Sequence, residues 1–431
     1  MTKQELYDSK LITLDQALDL IKSGDCVATG FYGDETRPVF RNIHKIADRV
    51  ENVTVWLNNP QEEYPFLSMP ELNGKLDVIT VFYGHAHRRV HSMGRVSYVP
   101  EHLHDTASAI LRTARPNIIF LTVAPMDKHG YVYCSCSLQH ELECVEKADT
   151  VVFQVNRNLP RTMGTHIPIE AADYIIEETD EPIIPAPTYP VTEVERKIAE
   201  NVATLVSDGD TVQFGIGGLP LAVAQALHNK NDLGIHTEMF SPPMGQLIRD
   251  GVVTNKYKNI NKNLSVCAFM WGDDELHALA DYNPAIRMME VGYINDPHVV
   301  SQNDNMVSIN SALEIDLTGQ VCSERLGYVQ FSGTGGATDF AYGAFHSKGG
   351  KGIIALNSTA KNGAISKIQP GLTPGSVVSI SRNIVEYVVT EYGIAYLKDK
   401  SVRGRVEELI NIAHPKFRDE LRDKAKEYQL W

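Results

Sequence analysis

Apolar and polar positions along the chain follow a pattern that comes round twice. Leu14 to Ile21 and Val194 to Leu205 place apolar residues at helical spacing, and each run leads through a Gly-Asp turn into a short apolar stretch. Asn117 to Val123 (NIIFLTV) and Gly352 to Leu356 (GIIAL) are almost wholly apolar, as strands covered on both faces must be. The predicted order in each half is helix, strand, glycine turn, helix, with strands and helices alternating afterwards. That order argues for an α/β protein of two tandem, similar αβ domains, each built on a mostly parallel sheet.

The halves correspond in sequence as well as in pattern. Gly24 to Gly33 (GDCVATGFYG) reads against Gly209 to Gly218 (GDTVQFGIGG), a shift of 185 positions. Asp127 to Val132 answers Asp316 to Val321, and Thr150 to Asn156 answers Lys351 to Asn357. From Gly130 to Asn156 is 26 positions and from Gly319 to Asn357 is 38, so the second copy carries 12 more. Those extra residues include Gly333-Thr334-Gly335-Gly336. The second copy also has Gly215 to Pro220 (GIGGLP) where the first has the bulkier Gly30 to Pro38, and Glu238 near a strand end where the first reads Val53 to Leu57. Function is expected where the copies differ. The prolines at 182, 185, 187 and 190 mark the break, giving expected domains of 1–187 and 188–431. Ligands of open αβ sheets lie beyond the carboxyl ends of the strands, so the active site is expected in the cleft between the two domains. The chain from Glu407 to Tyr428, interrupted by Pro415, reads as two charged amphipathic helices.

Composition narrows the class. At 431 residues, 43% hydrophobic and 22% charged, the chain has the make-up of a soluble globular protein. Met1 to Glu5 lacks an apolar signal core and no uncharged run reaches the ~18 residues of a membrane span, so a cytoplasmic enzyme with no membrane partner is expected. A net charge of −14 argues against nucleic acid as a partner. The six cysteines form no secreted disulfide framework. Cys134, Cys136, His140 and Cys144 have one residue between the first two, tighter than zinc spacing; the cysteines read as buried residues, and Cys134 and Cys136 on a strand would share one face. His85, His87, His91, His102 and His104 form a second histidine-rich stretch. Interspersed arginines (Arg88, Arg89, Arg95) disfavour a cation there, so no metal is expected.

Gly215 to Pro220 follows the strand Thr211 to Phe214 and precedes the helical Leu221 to Leu227, so its bare amides and the helix N-terminus can approach a ligand oxygen. A tight turn that binds nothing fits the glycines equally well. Pro220 and Thr338 stand where GxGxxG needs glycine, so neither loop is a nucleotide fingerprint. Glu238, flanked by Thr237, Met239 and Phe240, is expected to be poorly solvated. It fits an acyl-accepting nucleophile, as a carboxylate that takes an acyl group becomes a reactive anhydride. A strand-end salt bridge is the alternative use of such a residue.

Four motifs in order, GIGGLP at Gly215, LGIHTEM with Glu238, VQFSGTGGATDF at Val329 to Phe340 and VVTEYGIAYLK at Val388 to Lys398, resemble the acetyl-CoA hydrolase/transferase group of family I CoA-transferases. Within it the chain is similar to the 4-hydroxybutyrate and butyryl-CoA:acetate CoA-transferases over nearly its whole length, including LINIAHPKFRDEL near the end. The resemblance implies transfer of CoA between short-chain acyl-CoA and a carboxylic acid such as 4-hydroxybutyrate, butyrate or acetate. The implied course is ping-pong, through a glutamyl anhydride and a glutamyl-CoA thioester, with CoA as substrate and no tightly bound cofactor. It places the nucleophile at Glu238, a candidate oxyanion donor at Gly217, and Gln213 beside it. It places CoA contacts at Gly215, Ile216, Gly217, Gly218, Leu219, Met306, Asn310, Gly333, Gly335, Gly336 and Lys367. A homo-oligomer is expected. The chain departs from relatives at Gly30-Phe31, where many carry histidine, and at Ser241-Pro242-Pro243, where many carry Ser-Asp-Gly. Both departures bear on which acid is used. An acyl-CoA hydrolase is the alternative within this chemistry; a non-catalytic or sugar-phosphate-binding αβ protein is the remote one.

Overall fold

The computed structural model describes residues 1–430, with the backbone alone at 177 and 178. The chain packs as two units, residues 1–185 with 267–293, and residues 186–266 with 294 onward. A single break near the prolines therefore leaves out an excursion: the stretch from Cys267 to Tyr293 packs with the first unit.

The first unit is built on eight parallel strands in the order Leu11–Ile12, Tyr174–Thr179, Thr150–Asn156, Ile118–Val123, Cys26–Thr29, Val53–Trp56, Leu76–Thr80, Val96–Tyr98. Every residue of Ile118–Val123 is buried, which is why its sequence shows no alternation. The second unit repeats the plan. Gly234–Phe240, Thr211–Gln213, Met306–Ser311, Lys351–Ala355 and Tyr387–Thr390 run parallel, and Gly393–Tyr396 closes the edge as an antiparallel hairpin strand.

Matching local devices support the correspondence. The helices Leu14–Asp19 and Glu193–Leu205 both start with a threonine capping box, Thr13 with Gln16 and Thr192 with Glu195. Asp127 accepts from the amides of His129 and Tyr131, Asp316 from those of Thr318 and Gln320, and Gly130 and Gly319 complete the two turns with φ of +87° and +95°. The additional residues of the second copy include a small hairpin, Arg325–Leu326 with Val329–Gln330, leading into the second glycine loop.

Strand pairing corrects one reading. Cys26 pairs with Thr54 and Thr211 pairs with Gly234, so the first-unit counterpart of Glu238 is Asn58, a polar residue, and that of His236 is Trp56. The C-terminal helices are Val402–Ile412 and Arg418–Glu427; the first starts before Glu407 because Ser401 caps it. All six cysteines are buried and none is in a disulfide. Cys134 and Cys136 lie beyond the strand Tyr131–Tyr133 and do not share a strand face. Burial raises the Cys26 thiol to about 12, with Asp25 adding to it, and holds Cys134, Cys136 and Cys144 well above the ordinary value.

Candidate active site

Glu238 lies inside the strand Gly234–Phe240, at the carboxyl edge of the second unit's sheet, and is half-buried. Asn295 Nδ2 donates to its Oε2 at 3.0 Å, and Asn295 is itself fully buried. The Gly336 amide also donates to the carboxylate, and a Cβ at Gly336 would overlap both Oε2 and Asn295 Nδ2. Burial pushes the pKa up to about 7; the Asn295 hydrogen bond pulls against it, nearby Asp339 adds to the rise, and the Gly336 amide opposes it. One oxygen is thus held by fixed donors while the group stays basic for a carboxylate. The donors that hold it are amides, and a carboxylate raised in this way has the basicity that nucleophilic or general-base chemistry needs.

The first glycine loop is cut tighter than its sequence indicates. The helix after it is Gly218–Ala226 and begins inside the loop, since Pro220 fits a first turn. Gly217 caps it at φ +116°, a conformation that requires glycine, and Gly218 has Glu195 Oε1 2.6 Å from where a Cβ would stand. A Cβ at Gly215 would meet Met239 Cε at 4.0 Å, which places the loop against the strand carrying Glu238. Gln213 ends its strand, and its side-chain amide faces that of Asn310 at 3.4 Å in both directions.

Beyond these strand ends lies a cavity of about 230 Å³, lined among others by Glu195, Gly217, Leu219, Ser311, Asn357 and Lys367. Lys367 donates to the Ala312 carbonyl at 2.7 Å, and burial lowers its pKa to about 8. Ile216, Gly217, Gly218, Leu219 and Lys367 therefore share one wall-and-floor arrangement. Gly333 and Gly335 belong to the second loop, which Thr334 ties to Glu324 at 3.2 Å and in which Gly335 takes φ +55°.

Met306 departs from its expected place. It is fully buried at the start of its strand, paired with Thr211 at the end opposite Asn310, and its side chain belongs to the core rather than to any ligand surface. The histidine-rich stretch is dispersed. His85 is largely exposed, and His87 is buried with its pKa lowered by desolvation to about 3. His91 contacts the Tyr83 hydroxyl at 3.4 Å, and His102 stacks on His104. Among the described residues, no group of three or more His, Cys, Asp or Glu side chains is placed to hold a metal ion. No described helix is long and apolar enough to cross a membrane.

Sequence reasoning missed Asn295 and passed over Asp339. Asn295 stands outside every glycine motif, 57 residues from its partner, and only its place before the Asp296 helix cap marks the segment. Asp339 lies within the quoted GGATDF run, at a helix start where a buried acid is unusual.

Known proteins resemble the chain along its length. Residues 1–186 match the acetyl-CoA hydrolase/transferase N-terminal domain and residues 272–425 the corresponding C-terminal domain. The succinyl-CoA:cyclohexane-1-carboxylate CoA transferase of Geobacter metallireducens is 41% identical over 97% of this chain and 96% of its own length. The 4-hydroxybutyrate coenzyme A transferase of Clostridium kluyveri is 38% identical over 99% of both. Among solved structures, RipA from Yersinia pestis superposes with a TM-score of 0.95 at 35% identity, covering 100% of both chains. The 4-hydroxybutyrate CoA-transferase from Porphyromonas gingivalis gives 0.84 at 34% identity, covering 99% of this chain and all of its own. With both halves matched and relatives aligned almost end to end, this chain belongs to the acetyl-CoA hydrolase/transferase family.

Proposed function

We propose that the protein is a CoA-transferase that passes CoA between acyl-CoA and a carboxylic acid in two half-reactions, with Glu238 as the covalent carrier. The observation that carries this reading is the half-buried carboxylate with Oε2 gripped by Asn295 and its basicity raised by burial. Oε1 attacks the thioester carbonyl and the CoA thiolate leaves, giving the acyl-glutamyl anhydride. The thiolate then attacks the glutamyl carbonyl, and negative charge develops on Oε2 beside the Asn295 and Gly336 donors. The acid departs with Oε1, leaving glutamyl-CoA thioester. The acceptor acid reverses the sequence, attacking the glutamyl carbonyl and restoring an oxygen to the Oε1 position. Gly217 is assigned the amide facing the acyl oxygen. Gly215 to Leu219 and Lys367 are assigned the thiol arm of CoA, Gln213 and Asn310 the polar floor, and Gly333, Gly335 and Gly336 the facing loop. We place the acid among those of the relatives: 4-hydroxybutyrate, butyrate, acetate or a cyclic carboxylate.

Intact mass of the protein after incubation with butyryl-CoA alone tests this reading. A stable CoA adduct is expected, lost on addition of acetate with formation of acetyl-CoA. Free CoA released promptly without any adduct would instead make the protein a hydrolase. The ionised carboxylate is the reactive form, so kcat/KM for acyl-CoA is expected to rise about tenfold per pH unit on the acid side and level off above about pH 7. A limb centred near the ordinary glutamate value of 4.5 would contradict the role of burial.

A further inference from the structure

The second unit's strand carries a second unusual residue two positions before Glu238, and therefore on the same strand face. His236 is fully buried. Its Nε2 lies 2.8 Å from the Ile294 carbonyl and must donate there; its Nδ1 lies 3.2 Å from the Asn303 side-chain amide and must accept. Ile294 directly precedes Asn295. Asn303 is pinned in turn, as its carbonyl accepts from Ser347 Oγ at 2.6 Å. The imidazole also meets the Phe340 ring edge-on at 6.1 Å, on the helix Ala337–His346 that Gly336 caps. One ring thus touches the supports of both groups that grip Glu238. The first unit, which has Asn58 in place of the acid, has buried Trp56 in place of this histidine.

We propose that His236 is a positioning residue: with its proton on Nε2, the imidazole fixes the Ile294 carbonyl and the helix behind Gly336, and so aims the Asn295 amide at Glu238 Oε2. The proposal rests on Glu238 being the covalent carrier. Burial, with a smaller push from the Lys258 ammonium, lowers the His236 pKa to about 3, so the ring keeps one proton across the working range. The charged group facing Glu238 is Asp339 on the helix. Both Lys258 and Asp339 are left in place by the substitutions below, so a moved pH limb reports the hydrogen bond.

The test compares His236→Phe, which keeps an aromatic ring against Phe340, with His236→Gln, which keeps a donor and an acceptor. For His236→Phe, kcat is expected to fall about 10- to 100-fold with KM for acyl-CoA nearly unchanged. The acid limb of kcat/KM moves to higher pH, as a weaker grip on the charged carboxylate raises its pKa. His236→Gln is expected to recover most of the loss and return the limb. Wild-type kcat and limb in His236→Phe would overturn the proposal, as would a Gln variant no better than Phe with the limb unmoved. If His236→Phe does not fold, Asn303→Ala removes the support on Nδ1 alone and is expected to shift the limb in the same direction; no shift overturns the proposal. Absence of a CoA adduct in wild type would remove the underlying reading. An adduct forming as fast in His236→Phe as in wild type would remove this inference alone.

Discussion

Glu238→Gln is expected to lower CoA transfer by at least about 10⁴-fold and to abolish the CoA adduct, while making the folded protein more resistant to heat above neutral pH. The first effect follows from chemistry: an amide oxygen does not form the anhydride, and the neighbouring donors and glycine loops have nothing to transfer to. The second follows from linkage. Burial raises the Glu238 pKa from 4.5 to about 7, so the folded state binds this proton more tightly than the unfolded chain does. The group therefore destabilises the fold progressively as pH rises through that window, and the effect is complete above it. An amide carries no charge to desolvate, and the gain for the variant is about 1–3 kcal/mol, absent below the ordinary glutamate range. Thermal melts at pH 4 and pH 8 with activity at pH 8 check both. A variant that is inactive but equally stable at both pH values would mean that the carboxylate is well solvated. Retained activity would remove it from the reaction.

Gly336→Ala is expected to cost about 10²- to 10³-fold in kcat, on a residue that does no chemistry of its own. Its φ of −87° and ψ of 9° suit alanine, so the backbone carries no strain penalty. The methyl group alone is the problem, because it would occupy the space of Glu238 Oε2 and Asn295 Nδ2. The carboxylate and its donor must separate, which also removes the support for charge on the glutamyl carbonyl. Circular dichroism should be unchanged. Activity within threefold of wild type would show that the loop yields and that the close approach is not needed.

Glycines and turns were legible in the chain because they answer to local rules. Gly217, at a positive φ, lies in the glycine run read as a tight turn, and the Asp127 and Asp316 turns fall in the stretches that answer each other in the two copies. The two-fold plan was legible because both copies keep their strands in the same order. What could not be read is what depends on register or on distant segments. Asn58 was hidden as the counterpart of Glu238 because pairing, not spacing, sets that equivalence. Asn295 meets its partner only after two strands and three helices intervene. Met306 illustrates the opposite failure: a motif places it near Asn310, while strand direction sends the two to opposite ends of the sheet. The excursion from Cys267 to Tyr293 leaves no compositional mark, since its residues are no more polar or proline-rich than their neighbours.

The six sequestered sulfurs have a practical consequence for an enzyme whose cargo is itself a thiol. Buried away from solvent, all six are out of reach of free CoA, and burial further holds the thiols of Cys26, Cys134, Cys136 and Cys144 in the protonated form that does not form mixed disulfides. A thiol-reactive chromogen added to the native protein should therefore count liberated CoA and nothing else.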